Sequence, residues 1–405
     1  MINVAILGFG VIGRGIFDII SKNNEKVSQA ALDTVRVAKV VDIRDLSDSP
    51  AKDIATKDFN DVLRDESISV VVECMGGHTI AYEFSKAALM AKKSVVSSNK
   101  EVVACYGDEL MNIAKENNVS YLFEASVGGG IPIIHPMKYC LWANKINSIS
   151  GILNGTTNFM LTMMKEKGVS FNQALEKAQE LGYAEKNADA DVKGFDAARK
   201  IAILSSIVLK SHISLDDVSE VVGIDTLTSQ DVAFASKANK VIKLLARSVI
   251  DNGKAYIYVA PHLIDNSNPL ASVCDVFNAV CVNCDMLGDA MFYGKGAGSL
   301  PTASAVVSDI IEVARFKESA PVWTNKVENV CLDANKLPSS YYVRAELLGA
   351  EGMKKLVDIF DHPQILSGEG DLFSAFTVKQ ITKEELNKKL KEANIVPLSV
   401  FRVLE

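Results

Sequence analysis

Asp196 and Lys200 stand four residues apart in GYAEKNADADVKGFDAARKI, residues 182–201, which begins polar and acid-rich and runs into the apolar FDAARKIAILSSIVL. That spacing puts both on one face of a helix starting near Gly194, and the face continues through Ile203, Leu204 and Ile207. Both charges are therefore expected to point inward. A buried unpaired charge is costly, so each requires the other or a charged ligand. A second lysine, Lys100, ends the run KSVVSSNK, which would aim an ammonium beyond the carboxyl end of a strand; a solvated surface lysine fits the same position. Were Lys100 and Lys200 to meet beside a redox cofactor, burial and mutual repulsion would bring an amine into proton-transfer range. Glu185 and Asp191 add the opposite charge that suits an amino group. These residue types suggest hydride transfer to or from a carbonyl on a small amino-bearing molecule.

Such groups need a scaffold that brings a cofactor to them. INVAIL (2–7) reads as a strand running into Gly8-Phe9-Gly10-Val11-Ile12-Gly13, after which GRGIFDIISK has helical spacing. In this pattern Gly8 permits a tight turn, Gly10 lets backbone amides approach a pyrophosphate, and Gly13 lets the helix pack close to the sheet. The phosphates would rest on the helix N-terminus. A second strand, VRVAKVVDIRD, ends at Asp42, which could bind the ribose hydroxyls of NAD, while Arg44 could hold the 2′-phosphate of NADP. The sequence leaves the choice between NAD and NADP open.

Further runs alternate: SVVVECMGG (69–77), a helix near 79–91, KSVVSSNK (93–100), a helix near 106–117 and VSYLFEAS (119–126). The alternation predicts an α/β fold with a doubly wound, Rossmann-type parallel sheet. Glu124 precedes Val127-Gly128-Gly129-Gly130-Ile131, a glycine run whose exposed carbonyls, with the carboxylate, could hold a small hard cation; a flexible crossover is the alternative.

Beyond residue 131, SISGILNGTTNFMLTMM gives a strand, the polar knot 154–158 and a helix for which the knot supplies caps. VIKLLARSVIDNGKAYIYVAPHLI carries an Asn-Gly hairpin signal. Gly294 to Gly298 precede Pro301 and a helix expected to return the chain to the cofactor domain. Residues 316–339 read as a linker. The tail from YYVRAELL to IVPLSVFRVLE reads as β-α-β-β-α-β.

With 405 residues, two or three domains are expected. A net charge of −7 without a basic block argues against nucleic-acid binding, and no apolar run is long enough to span a bilayer. No targeting signal is visible, which makes the cytoplasm the expected compartment. The seven cysteines are scattered; Cys281 and Cys284 fall on a strand-like run, so their thiols diverge rather than forming half a zinc site, and reduced packing cysteines are expected.

GFGVIGRG, SSNKEVVA, FEASVGGGIPII, GILNGTTNFML, LGYAEKNADADVKGFDAARKIAIL and FYGKGAGSLPTASAVVSDI together resemble the homoserine dehydrogenases, over about residues 1–320. The resemblance implies NAD(P)-dependent interconversion of L-aspartate 4-semialdehyde and L-homoserine in threonine, methionine and isoleucine biosynthesis. It implies Lys100 and Lys200 as the catalytic pair, Glu185 and Asp196 as ligands of the substrate amino group, Asp191 in support and Thr156 nearby. Phe9, Val11, Ile12, Lys100 and Gly298 match the family's cofactor contacts. Glu124 by its side chain, and Val127, Gly129 and Ile131 by main-chain carbonyls, match a monovalent cation site, with Na⁺ expected. It further implies a dinucleotide-binding domain over 1–130, completed by about 295–320, and an α+β substrate-binding, catalytic and dimerisation domain over 131–294 whose central sheet pairs subunits into a homodimer or a dimer of dimers. The tail, 340–405, is similar to an ACT domain, for which threonine is the pathway's expected effector. Its first loop, Gly349-Ala350-Glu351-Gly352-Met353, lacks the Asp and Pro of ligand-binding relatives, so an association module fits equally. Another amino-acid dehydrogenase of this fold, or a non-catalytic nucleotide sensor, are the alternative readings; a sensor would be expected to have lost one of the lysines.

Overall fold

The apolar run INVAIL forms β1 (Ile2–Leu7) at the centre of a parallel sheet. Its companions are β2 (Val35–Val41), β3 (Ala55–Thr56), β4 (Ile68–Glu73), β5 (Ser94–Ser97) and β6 (Tyr121–Leu122), in the order β3-β2-β1-β4-β5-β6. Every pairing is parallel. The computed structural model describes residues 1–316, 321–323, 325–368 and 370–405. It resolves into two compact units: Met1–Lys145 with Ala202–Leu215 and Phe292–Glu328, and Ile146–Ile201 with Asp216–Met291 and Asn329–Glu405.

In the first unit the near-continuous Val and Ile content of the strands is that of a sheet covered on both faces. Val4, Ile6, Val70 and Val72 pack with Ile16 and Ile20 of the helix Val11–Lys22 and with Val306 and Ile310 of the helix Ser299–Arg315. Fully burying each such side chain stabilises the fold by about 1.5–3 kcal/mol. The helix expected near 106 begins earlier, at Lys100, and runs to Glu116. Its N-cap is Asn99, whose side chain accepts the N–H groups of Glu101 and Val102, a cap that starts the helix as soon as the strand ends. The last strand is shorter than VSYLFEAS suggested: only Tyr121 and Leu122 pair, and Glu124–Ser126 turn into a 3₁₀ helix. Of the segment 316–339, residues 317–320 and 324 lie outside the described residues; Trp323 is buried against Gly107.

The second sheet is mixed. Its strands are β7 (Ile146–Ile152), β8 (Glu220–Val221), β9 (Lys240–Asp251), β10 (Lys254–Asp265), β11 (Phe277–Cys284), β12 (Gly288–Lys295), β13 (Cys331–Leu332), β14 (Ser339–Glu346), β15 (Gln364–Ile365), β16 (Phe373–Ile381) and β17 (Pro397–Leu404). The path is β12-β11-β7-β9-β10-β17-β14-β16-β15, with β8 and β13 also on β10. Asn252 (φ 49°) and Gly253 (φ 80°) make the predicted two-residue turn between β9 and β10, both in the left-handed region a tight hairpin requires. Cys281 and Cys284 both lie on β11, and the seven cysteines form no disulfide among the described residues. The tail has the predicted β-α-β-β-α-β order, with helices Ala350–Ile359 and Lys383–Glu392 packed on the sheet through Leu356, Leu386 and Leu390. β17 also pairs in parallel with β10, so the tail extends the same sheet. No helix of the described residues is long and apolar enough to cross a membrane.

Candidate active site

The glycine turn has the geometry its spacing demands. Gly8 lies at φ 91°, and a Cβ on Gly13 would come within 2.0 Å of the Gly8 carbonyl, so the helix approaches the turn closer than any side chain allows. A Cβ on Gly10, by contrast, would meet nothing within 4 Å. Among the described residues no side chain caps the helix Val11–Lys22, which leaves its first amides to an anion. Val11 is exposed and its carbonyl accepts the Ser299 hydroxyl at 2.7 Å, while Ile12 is half-buried. Gly298, at φ 122°, stands directly before the helix Ser299–Arg315.

Asp42 and Arg44, read from sequence as rival ribose and phosphate ligands, are bound to each other. Asp42 Oδ1 accepts the Arg44 main-chain N–H and Nε, both at 2.9 Å; Oδ2 accepts Arg44 Nη2 at 2.6 Å and the Phe9 N–H at 2.7 Å. A carboxylate offers about four lone-pair sites, and these bonds use them. The Arg44 guanidinium beside Asp42 holds its carboxyl well below the usual range, against the opposing effect of burial.

Lys100 opens its helix in the first unit, partly buried, at the carboxyl end of β5. Its turn is anchored by residues the sequence did not single out. Glu73, fully buried at the end of β4, accepts the Met75 N–H at 2.8 Å and the Ser97 hydroxyl at 2.7 Å. The Ser97 oxygen accepts the Asn99 N–H at 3.0 Å, and Asn99 Nδ2 donates to the Gly77 carbonyl at 2.7 Å. Burial pushes the Glu73 carboxyl up, because its partners are neutral donors rather than a cation.

In the second unit Lys200 and Asp196 lie on the helix Phe195–Leu209, both buried, and pair as the four-residue spacing predicts. Lys200 Nζ donates to Asp196 Oδ2 at 2.9 Å and to the Leu153 carbonyl at 2.7 Å. Asn154, seen in the sequence only as a cap, joins the rest. Its Oδ1 accepts the Thr157 N–H at 2.8 Å, and its Nδ2 donates to Asp191 Oδ1 at 2.7 Å and Asp196 Oδ2 at 2.9 Å. One amide thus fixes a helix start and two carboxylates. Thr156 donates its hydroxyl to the Tyr183 carbonyl at 2.7 Å, tying the polar knot to the loop that carries Glu185. Glu185 is exposed, and its main-chain carbonyl accepts Gln179 Nε2 at 3.1 Å.

Glu124 is buried, and its carboxylate accepts the N–H groups of Ile133 (2.6 Å), Ile134 (2.9 Å) and His135 (2.7 Å). It therefore binds the start of the next helical turn, a use the sequence did not disclose. Val127 and Ile131 are buried as well. Gly129 lies at φ 59°, where a Cβ would meet the Gly296 carbonyl at 2.2 Å. Among the described residues the carbonyls of Val127, Gly129 and Ile131 accept no hydrogen bond, whereas that of Gly128 accepts the Ile131 N–H.

A glycine turn between parallel strand and helix, with a buried lysine–carboxylate–amide network, defines a dinucleotide-binding oxidoreductase of the α/β class. Known proteins agree. Residues 8–124 match the family model of the homoserine dehydrogenase NAD-binding domain, and residues 132–311 that of homoserine dehydrogenase. The homoserine dehydrogenase of Lactococcus lactis is 35% identical over all of this chain and 99% of its own. A crystal structure of a homoserine dehydrogenase from Thiobacillus denitrificans superposes with a TM-score of 0.91 at 32% identity, covering 100% of this chain and 98% of that one. A hyperthermophilic archaeal homoserine dehydrogenase in complex with NADPH has a TM-score of 0.66 at 29% identity, covering 79% and 99%. The chain belongs to the homoserine dehydrogenase family and is an NAD(P)-dependent oxidoreductase.

Proposed function

We propose that the chain interconverts L-homoserine and L-aspartate 4-semialdehyde, serving threonine, methionine and isoleucine biosynthesis in the cytoplasm, with Lys200 and Lys100 as its catalytic residues. The observation that carries this reading is the buried Lys200 ammonium, pinned by Asp196 and the Leu153 carbonyl. In the reduction direction a lysine ammonium gives its proton to the carbonyl oxygen while the carbonyl carbon receives hydride, which a reduced nicotinamide would supply; in the oxidation direction the neutral amine takes the hydroxyl proton back as hydride leaves the carbon that bears the hydroxyl. Asp196 and Glu185 bind the substrate amino group, Asp191 supports them through Asn154, and Thr156 holds the adjoining loop. Assay of the purified protein with homoserine, and with NAD or NADP in parallel, tests the assignment.

The dinucleotide fits the open face at Gly10 and the uncapped helix start, with Phe9, Val11, Ile12 and Gly298 as its further contacts. NADP is the preferred form in this reading. Asp42 has its acceptors filled by Arg44 and Phe9, so it serves to orient Arg44, whose half-exposed guanidinium suits a 2′-phosphate. The carbonyls of Val127, Gly129 and Ile131, which accept no hydrogen bond among the described residues, suit a monovalent cation, proposed to be Na⁺, with the Glu124 carboxylate as its further ligand. Residues 1–130 with 295–320 form the cofactor domain, 131–294 the catalytic and dimerisation domain, and 340–405 an ACT-like association module after the 316–339 linker. Subunits pair through the central sheet as a homodimer, which light scattering on the eluting protein measures.

A further inference from the structure

Three side chains outside the proposed active site converge in the first unit. His135 Nε2, Asp309 Oδ1 and a Glu312 carboxylate oxygen lie within 4.8 Å of one another. His135 Nε2 is 3.4 Å from Asp309 Oδ1 and in direct contact with Glu312 Oε2. Asp309 and Glu312 are 1% and 6% exposed, and all three line a cavity of about 20 Å³, room for one water or ion.

The arrangement of the remaining atoms is more telling than the convergence. Each of the three residues has a second polar atom, and each of those is held by an outer partner. His135 Nδ1 faces Glu124 Oε2 at 3.1 Å. Asp309 Oδ2 accepts the Glu124 N–H at 2.9 Å, while its Oδ1 makes no hydrogen bond among the described residues. Glu312 Oε1 accepts Lys138 Nζ at 3.0 Å and the Tyr139 hydroxyl at 2.9 Å. Metal-binding histidines and carboxylates are oriented in this way: the far atom is fixed by a hydrogen bond, leaving the near atom for the ion.

We propose that His135, Asp309 and Glu312 form a binding site for one divalent transition-metal ion. One imidazole nitrogen and two carboxylate oxygens are a donor set for zinc, cobalt or manganese, with water at the remaining position. Its ligands are none of those proposed for the monovalent cation: Glu124 serves here only as an orienting partner of His135 and Asp309. Since residue 135 and the helix Ser299–Arg315 are far apart in sequence, the ion clasps that helix to the segment following the glycine run.

Cobalt(II) is the probe. Full-length protein stripped with chelator is titrated with Co²⁺ alone while the visible d–d absorption is followed and bound metal is counted. Wild type is expected to take up one ion per chain with absorption typical of nitrogen and oxygen ligation. His135→Lys keeps a cation between the carboxylates but removes the imidazole ligand. Asp309→Asn keeps the acceptor for the Glu124 N–H but removes the ligand charge. Each is expected to lower Co²⁺ affinity at least about a hundredfold, more than loss of an outer partner does. Metal-free unfolding midpoints distinguish that loss from misfolding. No stoichiometric uptake by wild type, or undiminished uptake by either folded variant, would show that the three residues form only an ion-pair cluster.

Discussion

Replacing Asn154 by Ser separates two roles that the sequence could not distinguish. Serine caps a helix as well as asparagine does, so the start of the helix Gly155–Lys167 is retained. What is lost is the amide that donates to Asp191 Oδ1 at 2.7 Å and Asp196 Oδ2 at 2.9 Å. Hydrogen bonds to charged groups contribute about 1.5–3 kcal/mol each, so two set a ceiling of about 3–6 kcal/mol. Water entering the gap restores roughly half, leaving about 1.5–3 kcal/mol, or about 10- to 150-fold in kcat/KM for homoserine. Reduced-cofactor absorbance during homoserine oxidation measures this, with an unfolding curve alongside to establish that the helix survives. Asn154→Asp keeps the cap oxygen but puts a third carboxylate against the other two, and it should lose more than the serine variant. A serine variant with unchanged kcat/KM would reduce Asn154 to a cap and refute the network.

Gly13→Ala drives a methyl into the Gly8 carbonyl at 2.0 Å, so cofactor affinity should collapse while the second sheet stays folded; normal cofactor titration would contradict the close approach. Arg44→Ser should raise the KM for NADP roughly tenfold or more, the loss of one charge-assisted contact, and affect NAD less. An equal loss with both cofactors would remove Arg44 as a phosphate ligand. Burial pushes the Lys243 amine down to about 8, whereas in the unfolded chain it titrates near about 10.4. Between those values the unfolded state binds the extra proton, so native stability relative to unfolded rises with pH through the window, by at most about 3 kcal/mol. Below it the penalty of burying the charge is present in full. Urea unfolding should therefore show wild type gaining on Lys243→Met between neutral pH and pH ~10; parallel behaviour would contradict the assignment.

Local pattern made part of this architecture legible. The glycine turn, the Asn-Gly hairpin, the alternation of strands with helices and the Asp196–Lys200 pair all depend on residues within a few positions of one another, where spacing fixes geometry. The start of the helix at Lys100 is hidden in KSVVSSNK because Asn99 follows the apolar run without a break, although its type is that of an N-cap. Long-range partners left no such signal. Asn154 meets Asp191 and Asp196 only because a strand end and a helix start are packed together. Asp42 takes the Phe9 amide from a different strand end, and Glu73 meets Ser97 on the neighbouring strand. His135 and Glu312 are 177 residues apart, and nothing at either position announces the other.

Homoserine oxidation by Lys200→Ala and Lys100→Ala, set beside wild type with saturating NADP and matched unfolding curves, tests the central claim most directly. Both variants should fold and lose turnover by orders of magnitude. Near-normal turnover in either folded variant would remove that lysine from the chemistry.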